Sequence, residues 1–119
     1  MTPTRDRVAL VLAEVAAERA RQDARWGPGN LVYRADQPPN RRLAQLTGTL
    51  GEVARALLEA GDGDPLAVLV EEVGEVAEAL ADRDLTHARA EAVQVAAVAA
   101  ALAEGIDRHQ QPAGEVPAP

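Results

Sequence analysis

Apolar residues fall into four runs at helical spacing, separated by breaks rich in Gly, Pro and Asp. Val8, Val11, Leu12, Val15 and Ala16 recur three and four apart, which predicts a first helix over 4–25 with Thr4 as its N-cap. The stripe fades after Ala20, and Trp26-Gly27-Pro28-Gly29 cannot continue a helix. A loop over 27–39 follows, long for a small domain and closed by Pro38-Pro39. Asn40 then caps a second helix over about 41–60, whose buried side is expected to carry Leu43, Leu46, Leu50, Val53, Ala54, Leu57 and Leu58.

Gly61-Asp62-Gly63-Asp64 breaks the pattern again. Asp64 as N-cap with Pro65 at the first helical position starts a third helix reaching about Ala81, with Leu66, Leu69, Val70, Val73, Val76, Ala77 and Leu80 on its apolar face. A turn at 82–84 leads to a fourth helix from Thr86 to about Asp107. No strand pattern competes. The expected fold is all-α, an antiparallel four-helix bundle over residues 1–108, with a Pro- and Gly-rich tail over 109–119 expected to be disordered. Gly51-Glu52-Val53-Ala54-Arg55-Ala56-Leu57 nearly repeats Gly74-Glu75-Val76-Ala77-Glu78-Ala79-Leu80, through either an ancestral duplication or convergent helix composition.

Composition sharpens this picture. The apolar residues are mostly Ala, Val and Leu, with one Trp, one Tyr and no Phe among 119 residues. So light a core buries little area per residue, and association into a homo-oligomer is the expected source of further stability. The absence of cysteine excludes disulfides and thiolate metal sites. The first residues do not read as a signal peptide, and the longest apolar run, Ala92 to Ala103, is broken by Gln94 and too short to span a bilayer. A cytoplasmic protein without a membrane partner is expected. The net charge of −7 argues against binding a nucleic-acid polymer. Charge is nevertheless segregated: Arg19, Arg21, Arg25, Arg34, Arg41 and Arg42 precede a strongly acidic stretch that begins at Glu52.

Within that stretch, Glu71, Glu72 and Glu75 share one helix face, at spacings of three and four. Like charges so placed repel unless a cation or an opposing Arg compensates. Gly74 beside them costs about 1 kcal/mol relative to Ala, which is understandable if another helix or a ligand must come close. The turn at 82–84 folds the fourth helix back, so Glu91 and Gln94 can face the first set. Carboxylates and carbonyl oxygens suit a hard divalent ion such as Mg²⁺. A solvated acidic face is the competing reading for any single Glu. His87 and His109 read as surface residues without a partner at ligand spacing.

Glu71-Glu72-Val73-Gly74-Glu75, followed by Glu91-Ala92-Val93-Gln94, resembles the E-E-x-x-E … E-x-x-D signature of the MazG-like all-α nucleoside triphosphate pyrophosphohydrolases. Glu18-Arg19-Ala20-Arg21-Gln22-Asp23-Ala24-Arg25-Trp26-Gly27 is similar to a block that many small members carry, so the likeness covers about two thirds of the chain. It implies hydrolysis of an NTP or dNTP to the monophosphate and pyrophosphate, with Mg²⁺ (or Mn²⁺ in its place) held by Glu72, Glu75, Glu91 and Gln94. Glu71 is implied as a further ligand or as the base that activates water. Arg21 and Arg25 would contact the triphosphate, Trp26 would stack on the base or pack against the bundle, and Asn30 would read a base edge. A homodimer or dimer of dimers is implied as well.

Gln94 departs from the family's Asp: it offers a neutral oxygen but neither charge nor basicity. A divergent, non-catalytic nucleotide- or partner-binding bundle is therefore the alternative. A purely structural helical oligomer and a phosphoribosyl-ATP pyrophosphohydrolase are further readings, and nothing in the sequence selects the latter.

Overall fold

The computed structural model describes residues 3–27 and 33–111. They form α1 (Pro3–Trp26), α2 (Arg41–Glu59), α3 (Pro65–Ala81) and α4 (Leu85–Gln110), with no strand among the described residues. The fold is all-helical, as the periodicity predicts. Asn40 and Asp64 act as the expected N-caps, each accepting a bond of 2.9 Å from a backbone N–H three residues on, Leu43 and Ala67 respectively. Two starts differ from expectation. The first helix begins at Pro3, so Thr4 lies inside it. The fourth is capped by Asp84, whose Oδ1 accepts from the His87 N–H at 3.1 Å, and so Thr86 lies within the first turn. The fourth helix also continues through His109 and Gln110, shortening the expected tail; 112–119 lie outside the described residues.

The C-termini of α2 and α3 close in one way. At α2, Asp62 N–H reaches the Leu57 carbonyl at 2.9 Å, and Gly61 N–H the Leu58 carbonyl at 3.2 Å. At α3, Asp84 bonds Ala79 at 3.0 Å and Arg83 bonds Leu80 at 3.2 Å. This paired 6→1 and 5→2 pattern needs a left-handed residue after the helix. Gly61 takes that conformation freely at φ 80°, whereas Arg83 takes it at φ 57° against its own Cβ.

The chain forms two compact units, Arg34–Ala99 and a second one made of Met1–Tyr33 with Ala100–Pro119. In the first, α2 and α3 run antiparallel, with Gly48 beside Glu78, Gly51 against Gly74 and Arg55 beside Glu71. The start of α4 lies along α3, where His87 and Glu91 meet Glu75. In the second unit Arg7, Val11, Ala100 and Glu104 are buried.

Packing bears out part of the expected apolar faces, with Val11 and Ala54 buried and Leu58, Leu69, Val70, Val76, Ala77 and Leu80 half-buried, and corrects the rest. The buried positions of α2 are Gly48, Gly51 and Ala54, and those of α3 are Ala67, Gly74 and Ala79. Leu43, Leu46, Leu50, Val53 and Leu57 of α2 are exposed, as are Leu66 and Val73 of α3 and Leu12 and Val15 of α1. Small residues bring the α2 and α3 backbones close together, and at about 100° per residue the Leu stripe of α2 lies roughly 120° around from that seam. The heptapeptide echo has a packing reason here: its two equivalent glycines, Gly51 and Gly74, are the ones that abut.

Candidate metal centre

The acidic face of α3 meets a different neighbour on each side. Toward α2, Arg55 Nε donates to Glu71 Oε1 at 3.4 Å, and its Nη2 donates to Glu75. The hydrogen bond to Glu71, reinforced by the charge of Glu75, pushes the Arg55 pKa further up. One guanidinium thus relieves part of the repulsion that the sequence exposes. Toward α4, Glu72 hydrogen-bonds Glu91, which together with burial and the nearby acids raises the Glu72 pKa to about 7. Two carboxyls share a proton there because both cannot ionise at such close range without a cation.

Glu75 bridges the two sides. One of its oxygens takes Arg55, while Oε2 lies 4.0 Å from His87 Nε2, which in turn is 3.4 Å from Glu91 Oε1. The three donor atoms of Glu75, His87 and Glu91 all lie within 4.8 Å of one another. Ligand atoms around a cation with bonds of about 2.1 Å stand at most about 4.2 Å apart. A shift on the scale of a side-chain rotamer therefore closes this set on an ion. Two carboxylates and an imidazole suit Mn²⁺ and other first-row ions at least as well as Mg²⁺.

His87 is a surface residue as expected, but it does have partners at ligand spacing, which corrects that part of the reading. It is 45% exposed, but it stands four residues before Glu91 on α4 and so shares its face. That spacing was visible in the sequence.

The expected site residues are only partly assembled. Glu71, Glu72, Glu75 and Glu91 come together on α3 and α4. Gln94, one turn beyond Glu91, is exposed and has no polar contact among the described residues. Arg21, Arg25 and Trp26 lie on the last turns of α1, in the other unit. Arg21 Nε donates to Glu18 at 2.7 Å, and the Arg25 guanidinium stacks 4.6 Å from the Trp26 ring centre. Trp26 is 64% exposed, so it presents an aromatic face and fills no core. Asn30 lies outside the described residues.

A groove of about 730 Å³ runs between the start of α2 and the end of α3, lined among others by Arg41, Gln45, Thr49, Glu52, Glu78 and Arg83. None of the clustered carboxylates lines it. Among the described residues no helix is long and apolar enough to cross a membrane. Against protein-family models, curated proteins and solved structures, the chain finds no match.

Proposed function

We propose that this chain is a metal-dependent nucleoside triphosphate pyrophosphohydrolase of the MazG-like kind, converting an NTP or dNTP to the monophosphate and pyrophosphate, and that it works as a homo-oligomer. The observation that carries the reading is the convergence of Glu75, His87 and Glu91, with Glu72 beside them, on the two helices that bear the acidic motif. Mg²⁺ or Mn²⁺ would be held by Glu75, His87 and Glu91, with Glu72 joining once its shared proton leaves. A divalent ion supplies charge neutralisation for phosphate oxygens and Lewis acidity at the α-phosphorus.

The protein's own groups divide the remaining work. Arg55 holds the Glu71 side chain in place by its hydrogen bond, and Glu71 is the group proposed to accept a proton from an attacking water. Gln94 supplies a neutral oxygen near Glu91. Contacts of Arg21 and Arg25 with the triphosphate and of Trp26 with the base are carried by the family resemblance alone. The test is a panel of NTPs and dNTPs with Mg²⁺ or Mn²⁺, measuring monophosphate and pyrophosphate together. Equimolar release of the two supports the proposal, whereas orthophosphate as the product sinks it.

Two observations favour a second reading, a non-catalytic binding bundle. Arg55 already compensates Glu71 and Glu75 without any metal, and Gln94 brings no charge. Retained Mn²⁺ affinity with no turnover of any nucleotide in the same panel decides for that alternative.

A further inference from the structure

We infer that two copies of this chain pair through α2, antiparallel and centred on Leu50. The inference rests on the homo-oligomer proposed above and is independent of the catalytic part of that proposal. Leu43, Leu46, Leu50, Val53 and Leu57 follow one another at spacings of three, four, three and four. Each is between 43% and 63% exposed. Single exposed apolar residues are ordinary on a protein surface, but a continuous stripe of five is the mark of an interface. A 3.5-residue repeat is moreover the repeat of helices that pair along a seam.

The borders of the stripe fit a helix–helix contact. Thr47, Thr49, Ala54 and Ala56 flank its middle, so no charge stands at the centre, where interfaces are depleted of charge. Charges gather at the ends instead. Arg41 and Arg42 open α2, while Glu59 closes it and Asp62 and Asp64 follow.

Those ends select the occupant and its direction. About Leu50 the stripe is nearly symmetric: Leu43 and Leu57 stand seven residues to either side, with Leu46 and Val53 between. A second copy laid antiparallel places Leu43 against Leu57 and Leu50 against itself, with Leu46 and Val53 one residue out of register between them. It also sets the basic start of each α2 over the acidic end of the other and opposes the two helix dipoles. A parallel pair would stack Arg on Arg and acid on acid. The patch is therefore complementary to itself under a two-fold axis, as an isologous dimer requires.

The chain contains no cysteine, so single-cysteine variants report orientation without background. Sedimentation equilibrium of the full chain should give a dimer mass, and Leu50→Glu should give a monomer with unchanged helical circular dichroism. With a short bismaleimide, Leu50→Cys should cross-link to itself. Leu43→Cys and Leu57→Cys should each fail alone but cross-link when mixed, because equal positions in an antiparallel pair stand about 21 Å apart. A monomeric parent chain overturns the inference; α1 of the same chain, or another protein, would then be the cover. A dimer that survives Leu50→Glu overturns the surface, and self-cross-linking at 43 and 57 overturns the direction. If Leu50→Glu fails to fold, the cross-links alone decide. The nucleotide panel reads separately: turnover by a monomer removes this inference and the proposed homo-oligomer but leaves the catalytic reading, and a dimer without turnover removes only the catalytic reading.

Discussion

Gly74→Ala sets two opposed effects against each other at one atom. In an exposed helix interior the change would stabilise by about 1 kcal/mol, since Gly loses more backbone entropy than Ala on folding. Here the new Cβ would lie 2.8 Å from Gly51 Cα and 3.3 Å from the Thr47 carbonyl oxygen. Both neighbours are backbone atoms, so neither can rotate aside and the two helices must part. Overpacking of this kind costs about 1–3 kcal/mol. The seam of Gly51, Ala54, Ala67 and Ala79 loosens with it, so the net expectation is a destabilisation of about 1–2 kcal/mol. Gly105 of α4 is the control: a Cβ there meets only the end of the flexible Arg108 side chain at 3.8 Å. Gly105→Ala should stabilise by about 0.5–1 kcal/mol. Urea unfolding followed by circular dichroism, at one fixed protomer concentration, compares the two. A Gly74→Ala chain as stable as Gly105→Ala would refute the close approach of α2 and α3.

Other consequences are as direct. Glu72 has its pKa raised from 4.5 to about 7, so the metal-free folded chain binds the extra proton; the stability this confers is full below pH 4.5 and is lost as pH rises through about 7. After solvent screening the effect is about 1 kcal/mol, and Glu72→Gln should flatten that slope in unfolding curves taken between pH 5 and 8. Mn²⁺ affinity by calorimetry should run the opposite way, rising over the same range as the shared proton is released. His87→Ala should weaken Mn²⁺ at least tenfold while leaving the helical signal unchanged; an unaltered affinity removes His87 from the ligand set. Arg83→Gly should raise the thermal midpoint, because a left-handed Arg costs about 1–2 kcal/mol and Gly recovers about half of it net.

The helices themselves were legible because their signals are local. Asn40 and Asp64 cap as their side chains dictate, Pro65 occupies the first turn of α3, and the Gly61 to Asp64 break lies where φ above zero is needed. Asp84 was the exception: Asp84 and Thr86 are both competent caps, and only the backbone shows that the His87 N–H falls to Asp84. Which face of α2 is buried was legible only at Ala54. A periodic apolar stripe normally announces the core side, but α2 carries two stripes, one of Leu and Val and one of Gly48, Gly51 and Ala54. Hydrophobicity ranks the first higher. Close approach of two backbones selects the second, because only small residues permit it.

The same distinction separates what the sequence revealed of the site from what it hid. Spacing along a helix places Glu71, Glu72 and Glu75 together, and it places His87 with Glu91, though His87 carries no weight until Glu75 is seen to face it across the gap at 4.0 Å. Arg55 could not be found this way, since sixteen and twenty residues separate it from Glu71 and Glu75. It reaches them because α2 crosses α3 at the two glycines, one turn of helix from Arg55. Gly51 and Gly74 therefore do more than admit a close contact. They set the distance at which one guanidinium spans two carboxylates, leaving Glu72 and Glu91 to share a proton on the far side of α3. A wider crossing would release Arg55 and leave Glu71 and Glu75 without their guanidinium partner. The charge of the proposed metal centre is thus governed from the helix that contributes no ligand to it.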